Sequence, residues 1–143
     1  MADSQKRSVL IADDDTEFLS ILRIRLESMG LDVRTASSGK EALAEVIVRQ
    51  PDLLCLDANM PAGDSFTVCE VLALDAEASR IPVIIITGRK DPETIKRCRE
   101  MCAYYICKSN RLWEAIESVV YELLDVGSTT QAAEKQWERT QTK

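Results

Sequence analysis

Five polar residues stand directly after apolar runs of the chain: Asp13 and Asp14 after 9–12, Asp57 after 53–56, Thr87 after 83–86, and Lys108 after 104–107. Three aspartates brought into one pocket repel each other unless a cation is present, and carboxylate oxygens select a hard divalent ion such as Mg2+. Mg2+ held by a few carboxylates keeps positions open for water and phosphate oxygens. An aspartate can attack phosphorus and form an acyl phosphate. The transferring phosphoryl group then needs positive charge and a hydroxyl around its oxygens. Lys108 offers the mobile charge, Thr87 the hydroxyl, and Gly88 room for close approach.

These residues meet only if each apolar run is a strand of an open α/β sheet, where ligands bind beyond the carboxyl ends of the strands. Three of the runs are continuous rather than alternating, as expected of strands buried on both faces of a parallel sheet. A fifth run, 33–36, has no comparable polar residue after it. With strand order 2-1-3-4-5 that run is an edge strand, and the other four surround one pocket. Between the runs lie helical patterns. Phe18, Leu19, Leu22, Leu26 and Met29 follow helical spacing up to Gly30, with Asp15 as a helix cap. Ser38 caps a second helix carrying Ala42, Leu43, Val46 and Ile47, which ends before Pro51. A third runs from about 65 to 75. Asp91-Pro92-Glu93 starts a fourth, with an N-cap acceptor, a proline at the first helical position and acid in the first turn. The fifth begins near Asn110 and presents Leu112, Ile116, Val119, Val120 and Leu123 on one side. This (βα)5 rhythm predicts a doubly wound parallel sheet with helices on both faces.

Composition narrows the function classes. The chain has 143 residues, 45% of them hydrophobic, which suits one domain and a short tail. With 24 acidic and 18 basic residues its net charge is −6, which disfavours a whole-molecule nucleic-acid binder. Histidine is absent. That removes Ser-His-Asp and Cys-His catalysis, zincin sites and any role as a histidine phosphodonor. The cysteines, Cys55, Cys69, Cys98, Cys102 and Cys107, are odd in number and form no CxxC pair. They read as reduced, mostly buried thiols; Cys98 and Cys102, four apart on one helix, leave a redox or metal pair open. No apolar segment suggests a leader or a membrane span, so a soluble, cytoplasmic protein is expected. The expected boundaries are a polar lead over 1–8, a domain over 9–125 and a polar tail over 126–143. That tail, with Trp137 as its one large apolar residue, is either disordered or a short docking helix.

The pieces Val9-Leu10-Ile11-Ala12-Asp13-Asp14-Asp15, Leu56-Asp57-Ala58-Asn59-Met60-Pro61, Ile86-Thr87-Gly88 and Tyr105-Ile106-Cys107-Lys108 resemble, in order and spacing, a response-regulator receiver domain of two-component signalling. The resemblance implies a flavodoxin-like fold and a signalling domain rather than an enzyme acting on separate substrates. It implies Asp57 as phosphoacceptor, and Asp13, Asp14, Asp57 and the Asn59 carbonyl around Mg2+, with Asp14 the more direct of the acidic pair. Thr87 and Lys108 would act on the phosphoryl group, and Tyr105 would be the aromatic switch, with plain half-buried packing as the alternative. The implied partners are a histidine kinase or histidine phosphotransfer protein and a downstream protein. By the same resemblance, the apolar side of the first helix near Phe18, Leu19 and Leu22 would meet the donor.

The sequence departs from the family at three places. Ser109 follows Lys108 where a proline, often after a cis bond, is usual. Ser65 replaces a common glycine, although Gly63 is near, and Met101-Cys102-Ala103 stands at a frequent glycine-alanine turn. Residues 89–111 hold seven basic and three acidic residues, a local charge of +4 that leaves −10 elsewhere. That stretch is either a solvated helix face or an acid-preferring docking surface. With no helix-turn-helix in the sequence, output is expected through protein contacts and not by direct binding of nucleic acid or membrane, unless the chain is the N-terminal receiver of a longer regulator. A degenerate receiver acting as a constitutive interaction module is one alternative. An aspartate-nucleophile phosphohydrolase is another, but it would want a second aspartate where Asn59 stands.

Overall fold

The computed structural model describes residues 6–58, 60, 65–88, 92–101 and 103–124. Expectations for Asn59, Pro61, Gly63, Arg89, Lys90, Asp91, Cys102 and the tail with Trp137 fall outside these residues. The elements alternate: β1 (Ser8–Ala12), α1 (Thr16–Glu27), β2 (Asp32–Ala36), α2 (Gly39–Val48), β3 (Leu53–Asp57), α3 (Ser65–Ala73), β4 (Val83–Thr87), α4 (Pro92–Glu100), β5 (Tyr104–Cys107) and α5 (Leu112–Leu124). A single 3-10 turn, Ala78–Arg80, precedes β4. The five strands are parallel and ordered β2-β1-β3-β4-β5, as expected for the doubly wound, flavodoxin-like arrangement.

The strands read as unbroken apolar runs because alternate side chains enter two different cores. Val9 and Ile11 of β1, with Cys55, Ile84 and Ile106, pack under Leu19, Leu22 and Leu26 of α1 and Ile116, Val119 and Val120 of α5. Leu10 and Ala12, with Leu54, Leu56 and Ile85, face Ala42 and Val46 of α2, Phe66 and Leu72 of α3 and Cys98 of α4. The thiols of Cys55 and Cys98 are buried, one in each core, and burial pushes them up to about 12 and about 11, so they behave as small hydrophobes. Among the described residues Cys55, Cys69, Cys98 and Cys107 form no disulfide.

The helix ends follow local chemistry. Asp15 caps α1 by accepting from the backbone N–H of Glu17 and Phe18, both at 3.1 Å. Ser38 caps α2 through Glu41 N–H at 3.1 Å. Gly30 turns the chain after α1 with φ of +87°, a conformation that L side chains rarely adopt.

Three details differ from the sequence reading. Asp57 and Thr87 are the last residues of β3 and β4 rather than the first beyond them. Ile47 is exposed, whereas Ala42, Leu43 and Val46 face the core. Its turn is held by Arg34 of β2, whose guanidinium donates to the Glu45 carbonyl and carboxylate, each at 3.0 Å, and to the Arg49 carbonyl. Leu19 and Leu22 are buried against the sheet, so the apolar surface α1 leaves open is Ile21 and Ile24.

Because the Asp15 carboxylate satisfies two otherwise orphaned N–H groups, Asp15→Ala should destabilise the fold by about 1 kcal/mol. Asp15→Ser should recover most of that loss. Urea unfolding without divalent ions measures both.

Candidate functional site

Strand order alone carries the five sequence-marked residues to one end of the sheet. β1 delivers Asp13 and Asp14, β3 Asp57, β4 Thr87 and β5 Lys108. The backbone fixes their spacing. Ala58 N–H donates to the Ile86 carbonyl and Lys108 N–H to the Thr87 carbonyl, each at 2.8 Å, continuing the ladders past the strand ends. Asp13 N–H reaches the Ala36 carbonyl at 3.1 Å in the same way.

Within this frame one ligand oxygen from each of Asp13, Asp14 and Asp57 lies within 4.8 Å of the others. Asp13 is 1% exposed and Asp57 9%, whereas Asp14 is open to solvent. The Lys108 ammonium bridges the two buried acids, with Nζ at 3.1 Å from Asp57 Oδ1 and 3.2 Å from Asp13 Oδ2. Asp13 also accepts from Asp15 N–H at 3.0 Å, which ties the acid to the cap of α1.

The electrostatics reflect crowding. Burial holds the Asp13 carboxyl above the usual aspartate range and the charge of Asp57 adds to that; the Asp15 N–H and Lys108 oppose it without overcoming it. For Lys108, burial pulls the ammonium down, but its hydrogen bond to Asp57 and the charges of Asp57 and Asp13 outweigh burial and raise it. Lys108 is therefore fully charged at neutral pH.

The remaining predicted residues also take definite places. Thr87 is 1% exposed at the end of β4. Tyr105 is buried, its ring packed in the core beneath α2, α3 and α4, and burial raises its phenol above the usual tyrosine range. Among the described residues nothing lies within 4 Å of a Cβ built on Gly88, so room exists there for an incoming group. The Lys108–Ser109 bond is trans, and Ser109 opens α5: its carbonyl accepts from Leu112 N–H at 3.1 Å and its Oγ from Arg111 N–H at 3.3 Å.

Sequence reasoning missed one participant. The Phe18 ring centroid is 4.6 Å from Lys108 Nζ, making the ring a third neighbour of the ammonium. Its position, four residues after Asp14 in the first turn of α1, was the available signal.

All-oxygen donors at this spacing can hold a hard divalent cation, and a carboxylate next to a lysine and a buried hydroxyl residue suits phosphoryl chemistry. Residues 9–119 match the response regulator receiver domain. The chain is 40% identical over 80 residues to the DNA-binding dual master transcriptional regulator RpaA of Synechocystis, a match covering 56% of this chain and 33% of that protein. It is 33% identical over 89 residues to the DNA-binding response regulator MtrA of Mycolicibacterium smegmatis, covering 62% and 38%. The chain thus matches about a third of the length of these curated relatives. Among solved structures, the signal receiver domain of a signal transduction histidine kinase from Syntrophus aciditrophicus is 29% identical with a TM-score of 0.76, over 87% of this chain and 97% of that one. The receiver domain of a DNA-binding response regulator from Colwellia psychrerythraea is 25% identical with a TM-score of 0.75, over 84% and 99%. With the family matched over most of its length and the strand order to go with it, the chain belongs to the response regulator receiver domains.

Proposed function

We propose that this receiver accepts a phosphoryl group on Asp57 from the phosphohistidine of a histidine kinase or histidine phosphotransfer protein. The observation that carries the reading is the Asp57 carboxylate, seated beside the Lys108 ammonium at 3.1 Å and within the acidic cluster of Asp13 and Asp14. A carboxylate oxygen of Asp57 attacks phosphorus, the O–P bond forms, and the N–P bond of the donor breaks with its electron pair left on the imidazole nitrogen. Lys108 pairs with the phosphoryl oxygens and Thr87 donates its hydroxyl to them.

Asp13, Asp14 and Asp57 fit Mg2+ by donor type and spacing; the Asn59 carbonyl that the family resemblance adds to this set lies outside the described residues. When bound, Mg2+ neutralises the carboxylates and the charge that develops on the phosphoryl oxygens. The protein's own part is to fix the nucleophile, orient the lysine and hold the acids together before transfer.

Phosphorylation adds about −1.5 to −2 charges at one point. In this reading Thr87 and Lys108 follow that charge, Tyr105 responds, and the surface around α4, β5 and α5 changes its affinity for a downstream protein. The domain then acts as a cytoplasmic signalling element that assists only its own phosphorylation and dephosphorylation. Among the described residues no helix is long and apolar enough to cross a membrane.

Intact-mass analysis after incubation with acetyl phosphate tests the assignment. A Mg2+-dependent phosphoryl adduct is expected on the wild type and none on Asp57→Asn; an adduct that survives in the variant, or none on either, overturns it. Multiple turnover of a phosphate ester would instead indicate a hydrolase.

A second expectation follows from Asp13. Its carboxyl binds a proton more tightly folded than unfolded, so its contribution to stability is fully present below the ordinary aspartate range and is lost as pH rises through the raised value. Without divalent ions, Asp13→Asn should raise the Tm by a few degrees at pH 7, and the gain should vanish near pH 3. Added Mg2+ should stabilise the wild type more than the variant. Thermal unfolding at the two pH values, with and without Mg2+, checks the sign.

A further inference from the structure

Lys108 has three neighbours, of which the phosphotransfer reading uses two. Asp13 and Asp57 both draw the ammonium inward, over the acids that a divalent ion would hold. The Phe18 ring lies on a third side, with its centroid 4.6 Å from Nζ, well inside the ~6 Å reach of a cation–π contact. This ring is not a loose surface group. Phe18 packs partly into the core shared by α1 and α5, and its backbone N–H is held by the Asp15 carboxylate at 3.1 Å. Asp15 in turn donates its own N–H to Asp13. The acid pair, the helix cap and the ring thus form one connected unit facing the lysine.

Resting on the phosphoacceptor reading, we infer that Phe18 is a positioning residue that holds the Lys108 ammonium at the mouth of the site by a cation–π contact. A lysine has a four-carbon stem and many rotamers, and its head is strongly hydrated. Here the side chain is one-third exposed, at 33%, so water competes for the ammonium. A fixed aromatic face keeps it near the carboxylates, at the strand ends where Lys108 N–H meets the Thr87 carbonyl and where the phosphoryl oxygens would arrive. Without the ring, water takes its place around the ammonium, and a hydrated, mobile head is held less often beside the transferring group. A leucine at the same place keeps the apolar packing and loses the quadrupole.

The test has two parts. In the wild-type protein the Cε protons of Lys108 should resonate upfield of those of the other lysines because of the ring current, and Phe18→Leu should return them to the common position. Phosphorylation by acetyl phosphate with saturating Mg2+ should slow by about three- to tenfold in Phe18→Leu, in keeping with the usual strength of such contacts. Phe18→Tyr and Phe18→Trp should stay within about twofold of wild type, because each retains a ring of the same or greater cation affinity. A packing role alone would predict that the bulky Trp is worse than Leu. An unshifted Lys108 resonance, or a Phe18→Leu rate equal to wild type, overturns the inference alone. A wild type that takes no adduct overturns the phosphoacceptor reading, and the positioning role falls with it.

Discussion

Asp13 and Asp57 bring two buried carboxylates together at one end of the sheet, and the ammonium of Lys108 answers both. Buried charge of one sign costs several kcal/mol unless it is paired, so this contact constrains everything around it. The three residues come from β1, β3 and β5, separated by as much as 95 positions in the chain. Only a parallel sheet in this order, with its strands ending in register, sets them at hydrogen-bond distance. The apolar layers above and below do not merely stabilise the protein. They hold the strand ends in the arrangement that makes the ion triplet geometrically possible, and with it any phosphoryl chemistry.

Much of this arrangement was legible because the relevant physics is local or periodic. Burial on both faces turns strands into apolar runs, and the runs beginning at Val9, Leu53, Val83 and Tyr104 became β1, β3, β4 and β5 with a shift of one residue at most. Asp15 and Ser38 announced their helices because a side-chain oxygen two or three residues ahead of orphaned N–H groups is a short-range device. Gly30 announced a stop for the same reason. Five polar residues at four strand ends sufficed to locate the site, since the topology of an open sheet dictates where such ends converge.

What escaped the sequence depends on which way a side chain turns between elements that are distant in the chain. Helical spacing placed Phe18, Leu19 and Leu22 on one side of α1. It could not say that the two leucines lie against the sheet while the ring turns toward a lysine from β5. Ile47 has the spacing of a core residue, yet Arg34, eleven positions before Glu45, supplies the contacts that end α2. Ser109 looked like the loss of a proline. In the fold it is the residue whose carbonyl and hydroxyl organise the first turn of α5.

The Arg34 clamp also divides the molecule mechanically. On its side, strand β2 and helix α2 are riveted together, with Arg34 gripping the carbonyl end of the helix and Arg49 returning to Asp32 at 2.9 Å. On the far side, α4 buries a single residue, Cys98, and leans on α3 through the Arg97 guanidinium stacked 4.0 Å over Phe66. Segments with few buried contacts open at the lowest free energy. The single buried residue of α4 leaves that helix little to lose by moving, whereas α2 cannot shift without breaking the Arg34 contacts to Glu45 and Arg49.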